Sequence, residues 1–284
     1  MATRATPLGV GCLVIALVLV AGAAVAGIGL LRNRGLTAPV AGERCVATAA
    51  GRSVALDLEQ ARLTSIIVGL SVRRGLAPRA ASIAMATVYQ ETGIRNLDYG
   101  DRDSVGLFQQ RPSQGWGTPS QLQDPYYATG EFYDALVEVD GWETGDINDV
   151  AQAVQRSGYP EAYRDHEADG RVLASVLTGQ SPASFSCLDR QDEPGDAEAL
   201  AASLTQTFGK VGPRVAGPVV TVEAENDALA WAYAHHAVAN ASTSGVVEVQ
   251  TQGQLWRTSG QDLPTWTDAP SPAPRARTVT VTVR

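Results

Sequence analysis

The sequence predicts a mainly α-helical protein with a small α+β module near its C-terminal end. Apolar residues recur at helical spacing through much of residues 55–177. Residues 226–240 are helix-like, and residues 246–284 contain short alternating runs, with a hairpin that turns at Gly253 and a last strand at 278–284. A long uncharged segment precedes both regions. Helix faces repeat about every 3.6 residues and strand faces every two, so the two patterns can be told apart. The expected parts are an anchor at 1–35, a helical domain at 36–188, a linker at 189–218 and the α+β module at 219–284.

The charge balance argues against nucleic acid as a partner. The 284 residues include 22 basic and 30 acidic side chains, for a net charge of −8 at pH 7, and Lys210 is the only lysine. Binding to phosphate backbones needs clustered Lys and Arg. A hydrophobic share of 44% is enough to build the cores of one or two domains.

Residues 9–31 predict a membrane anchor. These 23 residues contain no charged side chain, and a helix of that length crosses a bilayer core of about 30 Å. We expect a single span, with the main domain outside the cytoplasm. The alternative is a cleaved signal peptide, with the small residues 24–26 as the cleavage site, which would give a secreted protein.

Residues 91–117 concentrate polar and aromatic groups after a predicted helix. The helix starts at Pro78, because proline is tolerated in a first turn, and stops at Gly93. Val88 and Glu91 lie on one face, so Glu91 ends an apolar helix face. Partial burial and the negative helix end both raise the pKa of such a carboxyl, which makes it a candidate general acid. The alternative is a surface glutamate that ends an amphipathic helix.

Three short motifs in this region carry a resemblance to a known family. Glu91-Thr92 ends the helix, Ser104-Val105-Gly106-Leu107-Phe108-Gln109 follows, and residues 153–158 (AVQRSG) come later. This arrangement resembles the lytic transglycosylases of the goose-type lysozyme-like superfamily, in particular a membrane-anchored group from high-GC Gram-positive bacteria. The likeness covers roughly residues 50–180. The third motif departs from the family pattern, because its usual Tyr-Asn pair is absent.

The resemblance implies a lysozyme-like fold and cleavage of peptidoglycan glycan strands. The bond cut would join N-acetylmuramic acid to N-acetylglucosamine. Glu91 would protonate the glycosidic oxygen and then act as a base, while the 6-hydroxyl of the sugar attacks to leave a 1,6-anhydro end. Neither a second carboxylate nor a cofactor is expected in this mechanism.

The resemblance also implies a set of substrate-binding residues around Glu91. Their expected roles are to shape the sugar subsite, to support its loop and to stack on sugar rings. In the third motif, Tyr159 or Tyr163 would replace the missing tyrosine. The remaining members of the set are Ser104, Gly106, Leu107, Gln109, Tyr99 and Trp116.

Two further outcomes stay open at the level of sequence. Asp103 or Asp101 would favour inverting hydrolysis if it lay about 6.5 to 9.5 Å across the cleft from Glu91. Alternatively, the altered third motif would suit an inactive, membrane-tethered protein that binds or scaffolds peptidoglycan.

The cysteines predict one disulfide. Cys12 lies in the apolar segment, whereas Cys45 and Cys187 bracket the region of resemblance. In an exported chain, we expect Cys45 and Cys187 to pair.

No metal site is expected. His235 and His236 are adjacent on a predicted helix and point in different directions, with no ligand cluster at metal-binding spacing. We expect both histidines at the surface. The segment at 98–103 lacks the spacing and the terminal glutamate of a calcium loop.

Overall fold

The computed structural model describes residues 42–270 and 277–284, and residues 43–284 form one compact unit. This unit contains two antiparallel sheets, one of three strands and one of six, together with the helices that pack on them. The prediction of a mainly α fold is therefore wrong, because the described residues form a mixed α/β structure. The predicted anchor at 9–31 lies outside the described residues.

The three-stranded sheet joins the two ends of the helical region. A hairpin of β1 (Arg44–Ala49) and β2 (Arg52–Leu56) pairs on its other side with β3 (Phe185–Leu188), in the order β2-β1-β3. Cys45 lies directly opposite Cys187 in the β1–β3 register, and the two form a disulfide. The predicted disulfide is therefore confirmed, and it links the strand before the first described helix to the strand after the main helices.

The helical region is built around one buried helix. That helix, α2 (Pro78–Thr92), packs against α1 (Leu58–Arg73), α5 (Ile147–Gln155) and α6 (Glu167–Leu177), and α1 also contacts α4 (Pro125–Val137). Asp57 caps α1 through the amide of Gln60, and Gly93 ends α2 in the left-handed conformation, as its position predicted. The helices of this region are α1 (Leu58–Arg73), α2 (Pro78–Thr92), α3 (Pro119–Leu122), α4 (Pro125–Val137), α5 (Ile147–Gln155) and α6 (Glu167–Leu177), with 3₁₀ turns at Pro112–Gln114 and Ala162–His166.

The C-terminal elements form the six-stranded sheet and three helices. The strand order is β4-β5-β9-β6-β7-β8, and helix α8 packs on β6 and β9. The helix at 226–240, the hairpin turning at Gly253 and the last strand, all predicted from the sequence, are confirmed. The elements are α7 (Ala197–Phe208), β4 (Arg214–Ala216), β5 (Val219–Glu223), α8 (Asp227–Ala239), α9 (Ala241–Ser244), β6 (Val246–Thr251), β7 (Gln254–Arg257), β8 (Thr267–Asp268) and β9 (Thr278–Val283).

Contacts cross the expected domain boundaries. The range 189–218 contains α7 and β4, and α7 packs on α1. Helix α8 packs on α1, α6 and β3 as well as on its own sheet. His235 and His236 lie on α8 and are 0% and 1% exposed. The expectation that they are surface residues is wrong, because α8 is covered on one side by the helical region and on the other by the sheet.

Within residues 42–270 and 277–284, no helix is both long enough and apolar enough to cross a bilayer.

Candidate active site

An open cleft of about 1070 Å³ lies beside the end of α2. Its walls come from the end of α2, the loop at 93–117 (the motif loop), the end of α4 and the segment that ends α5. Polar and charged side chains dominate these walls. The lining residues are Glu91, Asp101, Arg102, Ser104, Gln109, Gln110, Arg111, Gln114, Trp116, Ala135, Glu138, Val139, Ala153, Val154, Gln155, Arg156, Ser157, Gly158 and Tyr159.

Glu91 is half-buried in the wall of this cleft and accepts two hydrogen bonds. The hydroxyl of Tyr163 donates to Glu91 Oε1 at 2.7 Å, and the side-chain amide of Gln155 donates to the same oxygen at 3.2 Å. Burial raises the pKa of Glu91, and this effect outweighs the two hydrogen bonds, which lower it. The carboxyl therefore holds its proton to a higher pH than an exposed glutamate does.

The two oxygens of Glu91 have different surroundings. Oε1 receives both hydrogen bonds, whereas Oε2 has no hydrogen-bond partner among the described residues. A protonated carboxyl therefore carries its hydrogen on Oε2, because Oε1 is already an acceptor for two donors. After the proton leaves, Tyr163 and Gln155 stabilise the negative charge on Oε1.

The motif loop is bound directly to the end of α2. The hydroxyl of Thr92 donates to the carbonyl of Leu107 at 3.0 Å, and Gln155 also donates to the carbonyl of Phe108 at 2.8 Å. Gly106 has a φ of 78°, and a Cβ there would lie 2.2 Å from the carbonyl oxygen of Leu122. Only glycine fits this position, so the Gly-Leu-Phe-Gln turn is a steric requirement of the loop.

The 3₁₀ turn at 162–166 is fixed to the last turn of α2 at two points. Tyr163 is buried and binds Glu91, and His166 Nε2 lies 3.2 Å from the side-chain oxygen of Gln90. The ring of His166 also stacks on Tyr89, with ring centroids 5.3 Å apart. These contacts hold the Tyr163 hydroxyl in place, so Glu91 has a positioned donor.

The two candidate aspartates differ in environment. Asp103 accepts hydrogen bonds from the guanidinium of Arg111 at 2.8 Å and from the amide of Ser113 at 2.8 Å. These donors hold the pKa of Asp103 well below its usual range, so the carboxylate is a poor base and fixes the loop instead. Asp101 lines the cleft with an exposed side chain, and its nearest cation is Arg102 at 3.8 Å.

The remaining predicted residues divide into two groups. Ser104, Gln109, Trp116 and Tyr159 line the cleft together with Glu91 and Asp101, and the Tyr159 side chain is 77% exposed. The residues of the predicted set that do not line the cleft are Gly106, Leu107, Tyr99, Tyr163 and Asp103. Leu107 is fully buried, and the Tyr99 carbonyl accepts a hydrogen bond from Gln109 at 3.2 Å.

Several lining residues of the cleft were not assigned by sequence reasoning, and three of them carry polar groups that bear on the site. Gln155 binds Glu91, Arg156 follows it on the cleft wall, and Glu138 lines the wall near the end of α4. Gln155 and Arg156 lie inside the altered third motif, and that motif was the sequence feature that could have identified them. The local sequence around Gln155 does not predict its contact with Glu91, which lies 64 residues earlier in the chain.

Across residues 42–270 and 277–284, no group of three or more His, Cys, Asp or Glu side chains is arranged to hold a metal ion. Comparison with protein-family models and with curated proteins gave no match for this chain.

Proposed function

We propose that the protein cleaves glycan strands of peptidoglycan between N-acetylmuramic acid and N-acetylglucosamine as a lytic transglycosylase. The observation that carries this proposal is Glu91, a half-buried carboxyl with a raised pKa on a cleft wall. One of its oxygens accepts two neutral donors, and the other has no partner among the described residues. The sequence resemblance of the Glu91-Thr92 and Ser104–Gln109 motifs to that family supports the substrate assignment.

The first step is protonation of the glycosidic oxygen by Glu91 Oε2. As the proton transfers, the bond between C1 of the muramic acid and that oxygen breaks, and positive charge develops at C1. The leaving sugar departs with a free hydroxyl. Tyr163 and Gln155 stabilise the carboxylate formed on Glu91 through their hydrogen bonds to Oε1.

The second step returns the proton to Glu91. The carboxylate removes the proton from the 6-hydroxyl of the muramic acid, and that oxygen forms a bond with C1. The product is a 1,6-anhydro end, and no water is consumed. One carboxyl serves both steps, which agrees with the fixed, ion-paired state of Asp103.

The cleft offers suitable walls for a sugar chain. Its volume of about 1070 Å³ and its open form suit an extended polymer. Trp116 and Tyr159 present aromatic side chains to it, and Ser104 and Gln109 add polar groups. Tyr99 is 69% exposed, and its carbonyl accepts a hydrogen bond from Gln109, which lines the cleft.

A wall-cleaving enzyme of this kind would act outside the cytoplasm, and the disulfide supports this location. Cys45 and Cys187 are bonded, and structural disulfides persist in oxidising compartments. We propose that residues 9–31 anchor the chain in the membrane, with secretion after cleavage as the alternative.

Inverting hydrolysis is a second candidate because of Asp101. This residue lines the same cleft as Glu91 and has an exposed side chain that could bind and activate a water. The two reactions differ in their products, since hydrolysis leaves a free reducing end and transglycosylation an anhydro end.

The test is release of fragments from purified sacculi by a protein of residues 42–284, which contains the whole compact unit. Release by the wild type and a loss with Glu91→Gln would support the proposal. Glu198→Gln, an exposed glutamate in the first turn of α7, is the matched control. Binding to sacculi without release of any fragment would instead favour a wall-binding protein.

A further inference from the structure

Arg156 occupies a distinctive place on the cleft wall. It directly follows Gln155, whose amide binds Glu91, and it ends helix α5. Its φ is 53°, a left-handed conformation that side chains other than glycine, asparagine and aspartate seldom adopt. Its side chain is exposed and lines the same cleft as Glu91. A guanidinium is therefore presented to the cleft from a backbone that is fixed to the proposed acid.

The guanidinium of Arg156 differs from the other cleft arginines in its partners. Arg111 binds Asp103 at 2.8 Å, and Arg102 lies 3.8 Å from Asp101. Arg156 has no ion pair or side-chain hydrogen bond with any described residue. Since most of the described arginines pair with carboxylates, the free charge of Arg156 is available to a ligand.

The chemistry of the cleft selects the kind of group that Arg156 would bind. The N-acetylglucosamine ring is neutral, so it gives a guanidinium no charge to pair with. Asp101 and Glu138 line the same cleft and repel anions, so an acidic ligand group needs a cation beside it. A guanidinium matches a carboxylate with two parallel hydrogen bonds.

We propose that Arg156 is a specificity residue that binds a free carboxylate on the peptide attached to the muramic acid. This inference rests on the proposed function, because it places that peptide beside the sugar whose bond Glu91 cleaves. Arg156 makes no hydrogen bond or ion pair with Glu91, whose two hydrogen bonds come from Tyr163 and Gln155, so we assign it to substrate recognition. The protein would then prefer strands whose peptides carry free carboxylates over strands whose peptide carboxylates are amidated.

The experiment compares two preparations of the same peptide-bearing glycan strands, one with free peptide carboxylates and one in which these carboxylates have been converted to neutral amides. The measured quantity is the ratio of kcat/KM for the two preparations. Arg156→Gln should lower this ratio about ten-fold, the effect of losing one charge-assisted contact. Arg156→Gly should lower it equally and remain folded, because glycine adopts a left-handed backbone without strain. Arg171→Gln, on an exposed face of α6, should leave the ratio unchanged.

Binding provides a readout that does not depend on cleavage. The dissociation constants of both preparations for the Glu91→Gln protein should show the same preference, and Arg156→Gln in that background should reduce it. An unchanged ratio in the Arg156 variants would overturn the inference, and so would an equal fall with Arg171→Gln. If the wild type cleaves neither preparation, the proposed function fails, while the binding ratio still tests Arg156.

Discussion

Two regions of the molecule hold titratable side chains that are removed from water, and they differ in access. At the end of α2, burial raises the pKa of Glu91, and the side chain lies on an open cleft. On α8, burial lowers the pKa of both His235 and His236 to about 4. Neither histidine lines the cleft, and both are almost fully enclosed. A shifted pKa indicates a site only where a substrate can reach the group.

The partners of these groups also differ. His235 Nδ1 lies 2.8 Å from the carbonyl of Val176 on α6, and His236 Nε2 lies 2.9 Å from the hydroxyl of Ser203 on α7. The histidines therefore join α8 to neighbouring helices in a neutral form. Glu91 is held by donors on one oxygen only, which leaves the other for chemistry. The α8 histidines therefore serve the structure, whereas the unpartnered oxygen of Glu91 suits the catalytic role that we propose for it.

The largest expected effect is on activity when the acid is removed. Glu91→Gln keeps the shape of the side chain and an oxygen for Tyr163, but it has no proton to transfer. The rate of fragment release should fall about 10²- to 10⁴-fold, the usual contribution of a general acid. Glu198→Gln should keep the wild-type rate. Comparable rates for Glu91→Gln and wild type would contradict a catalytic role for Glu91, which is the property that separates its region from that of the α8 histidines.

A fall in pH should lower the free energy of unfolding mainly through the two α8 histidines. The folded pKa of each histidine is about 4, below the unfolded value of about 6.5, so the unfolded state binds more protons in this range. Stability is therefore lost as the pH falls from about 6.5 towards 4. At pH 5 the loss should be about 2 kcal/mol for each histidine, measured by denaturant unfolding at pH 7 and pH 5.

A variant separates this loss from other acid effects. His236→Gln retains a polar side chain for Ser203 but does not titrate, so the loss between pH 7 and pH 5 should be about half as large. Equal losses for this variant and the wild type would show that the α8 histidines do not set the acid sensitivity.

A smaller effect is expected from the donor to Glu91. Tyr163→Phe removes the 2.7 Å hydrogen bond to Oε1, which stabilises the carboxylate. The rate should fall about ten-fold, and the alkaline limb of the pH–rate profile should move to higher pH, because the pKa of Glu91 rises further. Tyr126→Phe, whose hydroxyl meets Thr207 outside the cleft, serves as the control. A lower rate with an unmoved limb would mean that Tyr163 supports the fold without acting on Glu91.

The smallest expected effect concerns stability. The folded pKa of Glu91 is raised, so its contribution to stability is present below the unfolded pKa and is lost as the pH rises through the folded value. Glu91→Gln should therefore unfold at a slightly higher temperature than the wild type at pH 7, and this difference should shrink at lower pH. A lower unfolding temperature for the variant at pH 7 would contradict burial as the cause of the raised pKa.

The sequence was most informative where the signals are local. Helix α2, its stop at Gly93 and the turn at Gly253 follow from residue type and short-range spacing, and the structure contains all of them. The mainly α prediction failed because β1, β2 and β3 are only four to six residues long and give little alternation. The six-stranded sheet was missed because β9 inserts between β5 and β6, a pairing that no local pattern specifies.

The same limit applies to the candidate site. Glu91 could be selected from its place on a helix end and from the motif that follows it. Tyr163 could be named only as an alternative to Tyr159, and Gln155 could not be assigned, because their contacts with Glu91 span 72 and 64 residues. The separate states of Asp103 and Asp101 also depend on which arginine each one meets in the folded chain.

The most direct test of Glu91 as the acid and base of an intramolecular reaction is product mass after digestion in water enriched in the heavy oxygen isotope. Intact sacculi would be treated with residues 42–284, and the released fragments weighed. The proposed mechanism predicts unlabelled anhydro ends, lighter than free reducing ends by one water. Labelled reducing ends would contradict it and would make hydrolysis with Asp101 the reaction to examine.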